Sequence, residues 1–93
     1  MKLDDYPHAR EKLEESVAIS IAVFGYKHLQ VAIGLSNLGV TLSYLGDIDQ
    51  AREKLEESVA IGIAVLGPEH PVTIGLSKTY REFLARFVNR KAS

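Results

Sequence analysis

Counted from Ala51, the residues Leu55, Ser58, Val59, Gly62, Ile63 and Leu66 recur at offsets 4, 7, 8, 11, 12 and 15. That spacing lines apolar and small side chains along one stripe of an α-helix. Arg52, Glu53, Glu56 and Glu57 lie off the stripe. Farther on, Ala60, Ile61, Ala64 and Val65 make the segment apolar nearly all round, so it needs cover on more than one side. "VAIGIAVL" is also rich in β-branched residues, as a strand would be. The preceding "AREKLEES" consists largely of strong helix formers, and a helix is therefore expected. Small residues at Ala51, Ser58 and Gly62 would let a neighbouring helix approach closely.

The same pattern occurs earlier, almost word for word. "AREKLEESVAISIAVFG" (Ala9 to Gly25) and "AREKLEESVAIGIAVLG" (Ala51 to Gly67) agree at fifteen of seventeen positions and are offset by 42 residues. They differ at Ser20/Gly62 and Phe24/Leu66. "HLQVAIGLS" from His28 matches "HPVTIGLS" from His70 after one deletion, and "DDYPHA" and "GDIDQA" lead into the two long copies. Between the copies, Leu35, Leu38, Leu42 and Leu45 keep helical spacing. Gly25 and Gly67 end the long helices, Gly46-Asp47 ends the one between them, and Asp47 or Asp49 can cap the next. Four helices are expected, over about 6–24, 28–45, 48–66 and 70–90, in a single domain spanning 1–93. Their short connections force neighbours to run antiparallel. Repetition with a fixed period reads as a tandem array, cut at both ends.

Composition narrows the function classes. Net charge is −1, so no global field draws the chain to nucleic acid or an anionic membrane. The four tyrosines and three phenylalanines do not interleave with a basic patch, which argues against stacking on single-stranded nucleic acid. There is no cysteine, which removes disulfides, thiol catalysis and cysteine-bound zinc together. The N-terminus lacks the apolar core of a signal peptide, and the longest apolar runs fall far short of the ~20 residues that cross a bilayer. A cytoplasmic location is the expectation.

At "LSNLGVTLSYLGDIDQAREKLEESVAI" (Leu35 to Ile61) the chain resembles the tetratricopeptide repeat. The matching residues are Leu35, Leu38-Gly39, Leu42, the turn Gly46-Asp47, Ala51, Leu55 and the small Ser58. The period of 42, with "LGPEHPVT" (Leu66 to Thr73), is similar to the kinesin light chain type of repeat. Resemblance covers about two repeats, beginning on a second helix and ending on a first helix. It implies an all-α, right-handed α-solenoid of antiparallel helical hairpins. Thr79-Tyr80 stands where the third first-helix should read Leu-Gly, so close packing of a further repeat beyond it is not expected. The charged tail "REFLARFVNRKAS" suits a solvating cap.

Candidate chemistry is sparse. Glu14-Glu15 and Glu56-Glu57 could be read as acid/base or metal pairs, but adjacent helical residues do not face each other, and a solvated face explains them. Arg10–Glu14 and Arg52–Glu56 are four apart and expected to support their helices by ~0.2–0.5 kcal/mol each. His8, His28 and His70 are too scattered for zinc, and the equivalent His28 and His70 suit a loop or capping role. Ser36, Ser43 and Ser77 have no His/Asp arrangement nearby, and no phosphate-cradling glycine loop is present. The chain is expected not to be an enzyme, with no cofactor, no metal and no catalytic residue.

What the resemblance implies instead is a scaffold or adaptor that binds protein or peptide, since the first helices of such arrays line a concave groove. Carried over by position, the lining residues are Ile33, Ser36, Asn37, Val40 and Tyr44, then Ile74, Ser77, Lys78 and Arg81. Asn37 matches the asparagine with which peptide-binding members clasp ligand backbone, an amide being both donor and acceptor. Lys78 and Arg81, one turn apart, could pair with a carboxylate, so an acidic peptide is the expected ligand. Two alternatives stand beside it. One is a self-associating unit, a homo-oligomer through the apolar side of the helix at 6–24. The other is an excised piece of a larger array with no ligand of its own.

Overall fold

The computed structural model describes residues 5–89, which form four α-helices: α1 (Tyr6–Phe24), α2 (Leu29–Tyr44), α3 (Ile48–Leu66) and α4 (Pro71–Phe83). A π-helical turn, Leu84–Val88, continues α4. The architecture is all-α, a run of antiparallel helical hairpins as expected. Its 21 Å thickness corresponds to two layers of helix at ~10 Å each. The fourth helix, expected over 70–90, stays α-helical only to Phe83 and leaves helical geometry at Asn89; residue 90 lies outside the described residues.

Local chemistry accounts for each helix end. His28 and His70 cap α2 and α4: Nδ1 accepts the backbone N–H of Gln30 at 3.0 Å and of Val72 at 3.1 Å. Asp47 caps α3 by accepting from the N–H of Gln50 at 3.4 Å. Asp5, its counterpart ahead of α1, makes no such bond. Gly25 and Gly67 end the two long helices with φ of +88° and +92° and ψ near 160°, a backbone region open essentially to glycine alone.

α2 is the hub. It packs against α1, α3 and α4, and nine of its sixteen residues are buried. Val31, Ala32 and Leu35 meet Val17 of α1, Ile61 of α3 and Leu76 of α4 in one cluster. Leu38 and Leu42 meet Ala51 and Leu55 of α3 and Phe83 of α4 in the other.

Small residues set how closely the helices approach. A Cβ on Gly39 would lie 2.6 Å from Leu55 Cγ and 3.2 Å from the Ala51 carbonyl. A Cβ on Gly62 would lie 3.0 Å from Leu76 Cδ1. Two buried hydroxyls stitch the same seams: Ser58 Oγ donates to the Ala32 carbonyl at 2.7 Å, and Thr73 Oγ1 donates to the Gly62 carbonyl at 3.1 Å. Hydroxyls that face backbone carbonyls in this way escape the cost of burial without a partner.

The tail is more than the solvating cap its charges suggest. Phe83 is buried, and Leu84, Phe87 and Val88 pack onto the cluster around Leu38 and Leu55. The apolar residues recur closely enough to form a second, inward face that the intervening charges disguise.

Candidate functional site

α2 and α4 occupy equivalent places in successive repeats and run in the same direction, because two chain reversals separate them. Ile33, Asn37, Val40 and Tyr44 fall at helical offsets 0, 4, 7 and 11, forming one stripe of α2. Ile33, Asn37 and Tyr44 are exposed and Val40 is half-buried. On α4, Ile74, Lys78 and Arg81 are exposed and Ser77 is half-buried. Ser36 departs from expectation: it is buried, with 7% of its surface accessible. α2 is enclosed by three helices, so its solvent-facing strip is narrower than the repeat pattern suggests.

Where the C-terminal end of α2 meets the end of α4, the surface sinks into an open groove of about 590 Å³. Val40, Ser43 and Tyr44 form one wall. Thr79, Glu82, Phe83, Arg86 and Phe87 form the other. Of the residues expected from sequence, only Val40 and Tyr44 reach this groove. Its other wall comes from the α4 tail, whose π-helical turn no repeat pattern encodes.

Tyr44 is held on three sides. Its ring stacks on Tyr6 at 5.1 Å between centroids and meets Phe87 edge-on at 6.2 Å. Its hydroxyl accepts from Arg86 Nη1 at 2.9 Å. That bond uses one of the five N–H donors of the guanidinium. Arg86 is therefore oriented by the aromatic cluster while its exposed side chain retains donors for a carboxylate or a peptide carbonyl. The groove combines apolar walls with one cation, Arg86, and one anion, Glu82. Such a mixture suits peptide side chains and backbone.

Chemistry elsewhere on the surface is structural. Glu56 and Glu57, taken from sequence as a solvated pair, each accept a distant tyrosine hydroxyl: Tyr80 to Glu56, and Tyr26 to Glu57 at 2.9 Å. Burial, reinforced by the neighbouring carboxylate, raises both tyrosines above the ordinary value of 10.0. On Tyr80, Arg52 acts in the opposite direction. Spacing along the chain could not reveal these contacts, because they join residues 24 and 31 positions apart. The expected Arg10–Glu14 and Arg52–Glu56 pairs are present, at 3.3 and 3.4 Å. Among the described residues, no group of three His, Asp or Glu side chains could hold a metal ion. Nor is any described helix long and apolar enough to cross a membrane.

Comparison with curated proteins and with solved structures returns no significant match. A family model described as tetratricopeptide repeat matches residues 1–64, more than half of the 93-residue chain. With its helical hairpins and small-residue seams, the chain belongs to the tetratricopeptide repeat family.

Proposed function

We propose that the chain is a protein–protein interaction module that binds a short acidic peptide along the exposed stripes of α2 and α4. The family supports the general role, since its members serve as interaction scaffolds. The observation that carries the finer reading is the groove between Tyr44 and Phe87. There Arg86 is already oriented by its bond to the Tyr44 hydroxyl, and this half-apolar recess opens at the end of the stripe bearing Asn37. A ligand side chain enters the recess beside Val40 and Phe87. Arg86 meets a ligand carboxylate there, and Lys78 and Arg81, on exposed surface of α4 outside the groove, meet further acidic groups of the peptide. Asn37 holds a backbone amide through donor and acceptor together. Within this reading the repeat is of the kinesin light chain type, which the 42-residue period supports.

The test is titration of an acidic peptide library against the chain, followed by Asn37→Ala, Arg81→Ala and Arg86→Ala. Losing one charge-assisted hydrogen bond should weaken binding by about tenfold for either arginine. Binding that all three substitutions leave unchanged would remove the assignment. A second reading, association through α1, is motivated by Ile19, which is 62% exposed although its counterpart Ile61 is 3% exposed.

A further inference from the structure

Glutamate and arginine stand four residues apart at Arg10–Glu14, Arg52–Glu56 and Glu82–Arg86. The first two are ion-paired, at 3.3 and 3.4 Å. The third places glutamate N-terminal to its cation, the order a helix favours, yet no ion pair joins it. Lys78, one turn before Glu82, does not pair with it either.

The reason lies in the tail. At Leu84 the helix widens into a π-helical turn, closed by the Asn89 N–H on the Leu84 carbonyl at 2.6 Å. Arg86 falls inside that turn and donates across the groove to the Tyr44 hydroxyl. Glu82, exposed on the same wall, makes no side-chain hydrogen bond or ion pair with another described residue. The groove thus holds a cation and an anion that do not neutralise each other. Four residues of helix advance roughly 6 Å. An extended peptide covers about the same distance in two residues and turns alternate side chains to opposite sides.

We propose that the recess selects a peptide segment of mixed charge, in which a basic and an acidic side chain two positions apart flank an apolar one. The basic side chain, lysine or arginine, meets Glu82, and the acidic one meets the donors that Arg86 retains. The apolar one turns to the opposite wall, against Val40 and Tyr44. The carbonyl end of α2 opens here without a basic residue in its last turn, and its partial negative charge adds to the draw on a cation. Such selection rests on the peptide-binding reading above and narrows it. The ligand is acidic where it passes Lys78 and Arg81 but carries one cation at the recess. A uniformly acidic segment would set like charge against Glu82.

The test uses the whole chain and two fluorescent peptides with both ends blocked, which share an acidic stretch and differ at one position. One contains Asp-Leu-Lys and the other Asp-Leu-Glu, each made in both sequence directions, with binding followed by anisotropy. The lysine peptide should bind about fivefold tighter in one direction, the upper value of an exposed ion pair. Glu82→Gln should remove that preference and Glu82→Lys should invert it. Because Glu82 is exposed, both variants should keep the helical circular dichroism of the parent. Glu53→Gln, an equal change of charge on the exposed surface of α3, should leave the preference intact and so exclude an effect of net charge alone. Equal affinity for the two peptides in both directions would overturn the mixed-charge assignment. So would a preference that Glu82→Gln leaves in place, or that Glu53→Gln removes equally. In those cases the peptide-binding reading stands if Arg86→Ala still weakens both peptides. Absence of saturable binding by either peptide up to millimolar concentration would overturn both.

Discussion

α1 and α3 share fifteen of seventeen residues across their repeated segments, yet α3 buries five residues and α1 two. Both are nineteen residues long and both end on a glycine of nearly identical conformation. Helix formation is thus a property of the repeated words themselves. Burial is not: it depends on which neighbours the array supplies. Ile61 clusters with residues of α2 and α4, whereas Ile19 belongs to neither core cluster and is 62% exposed. Even the caps diverge, since the Asp47 side chain accepts from the Gln50 N–H and the Asp5 side chain makes no capping bond. Identical segments therefore carry unequal shares of the fold, which paired substitutions can expose.

The largest difference is expected at the paired leucines. Leu55→Ala empties a site with 1% exposure at the centre of a cluster and should cost about 2–5 kcal/mol. Leu13→Ala, at a half-buried site, should cost less than half as much. Urea denaturation of the two variants measures both, and equal losses would break the comparison.

Next come the glycines, where the sign itself should change. Gly39→Ala forces a Cβ to within 2.6 Å of Leu55 Cγ and should destabilise by about 1–2 kcal/mol after alanine's helical advantage is subtracted. At Gly75 an added Cβ meets nothing within 4 Å, so Gly75→Ala should stabilise by about 0.5–1 kcal/mol. Thermal melts of the two variants should move in opposite directions.

The serines should separate more modestly. Ser58→Ala leaves the Ala32 carbonyl without its buried donor and should cost about 1 kcal/mol. Ser16→Ala, exposed to solvent, should stay within about 0.5 kcal/mol of the parent.

The smallest effect concerns pH. Tyr26 and Tyr80 are raised above 10.0 in the folded chain by burial and by their glutamate partners. The folded state thus favours the neutral phenols. The stability they contribute is fully present below the unfolded value and is lost as pH rises through the higher folded value. Phenolate absorbance should appear at higher pH in the native chain than in urea. Glu57→Ala should move Tyr26 back towards the ordinary range. Coincident titrations in the native and unfolded chains would contradict the hydrogen-bond assignments.

Much of the fold was legible because local chemistry repeats with the sequence. The helix stripes, the glycine stops and the capping role of His28 and His70 could all be inferred from residue type and position. The close approaches at Ala51, Ser58 and Gly62 followed from small side chains on an otherwise apolar stripe. What stayed hidden depends on residues distant in the chain. The partners of Glu56 and Glu57 come from other elements, so a carboxylate pair that looked solvated receives two phenols. Ser36 looked surface-bound because its position in the repeat faces outward, but α2 is enclosed on three sides. The groove expected along Asn37 and Arg81 instead deepens beside Tyr44 and Arg86. There the departure of the tail from α-helical geometry at Leu84 brings Phe87 and Arg86 onto α2, and no periodicity forecasts that departure.

Native-state hydrogen exchange tests the central claim most directly, because matched sequences give α1 and α3 nearly the same intrinsic exchange rates. The unequal burial predicts that amides of α3 exchange only through the largest openings. Those of Ser16 to Val23 should exchange through smaller ones, with opening free energies lower by at least about 1 kcal/mol. Equal protection of the two helices would show that their neighbours do not set their stability, and the account built on the contrast between Ile19 and Ile61 would be contradicted.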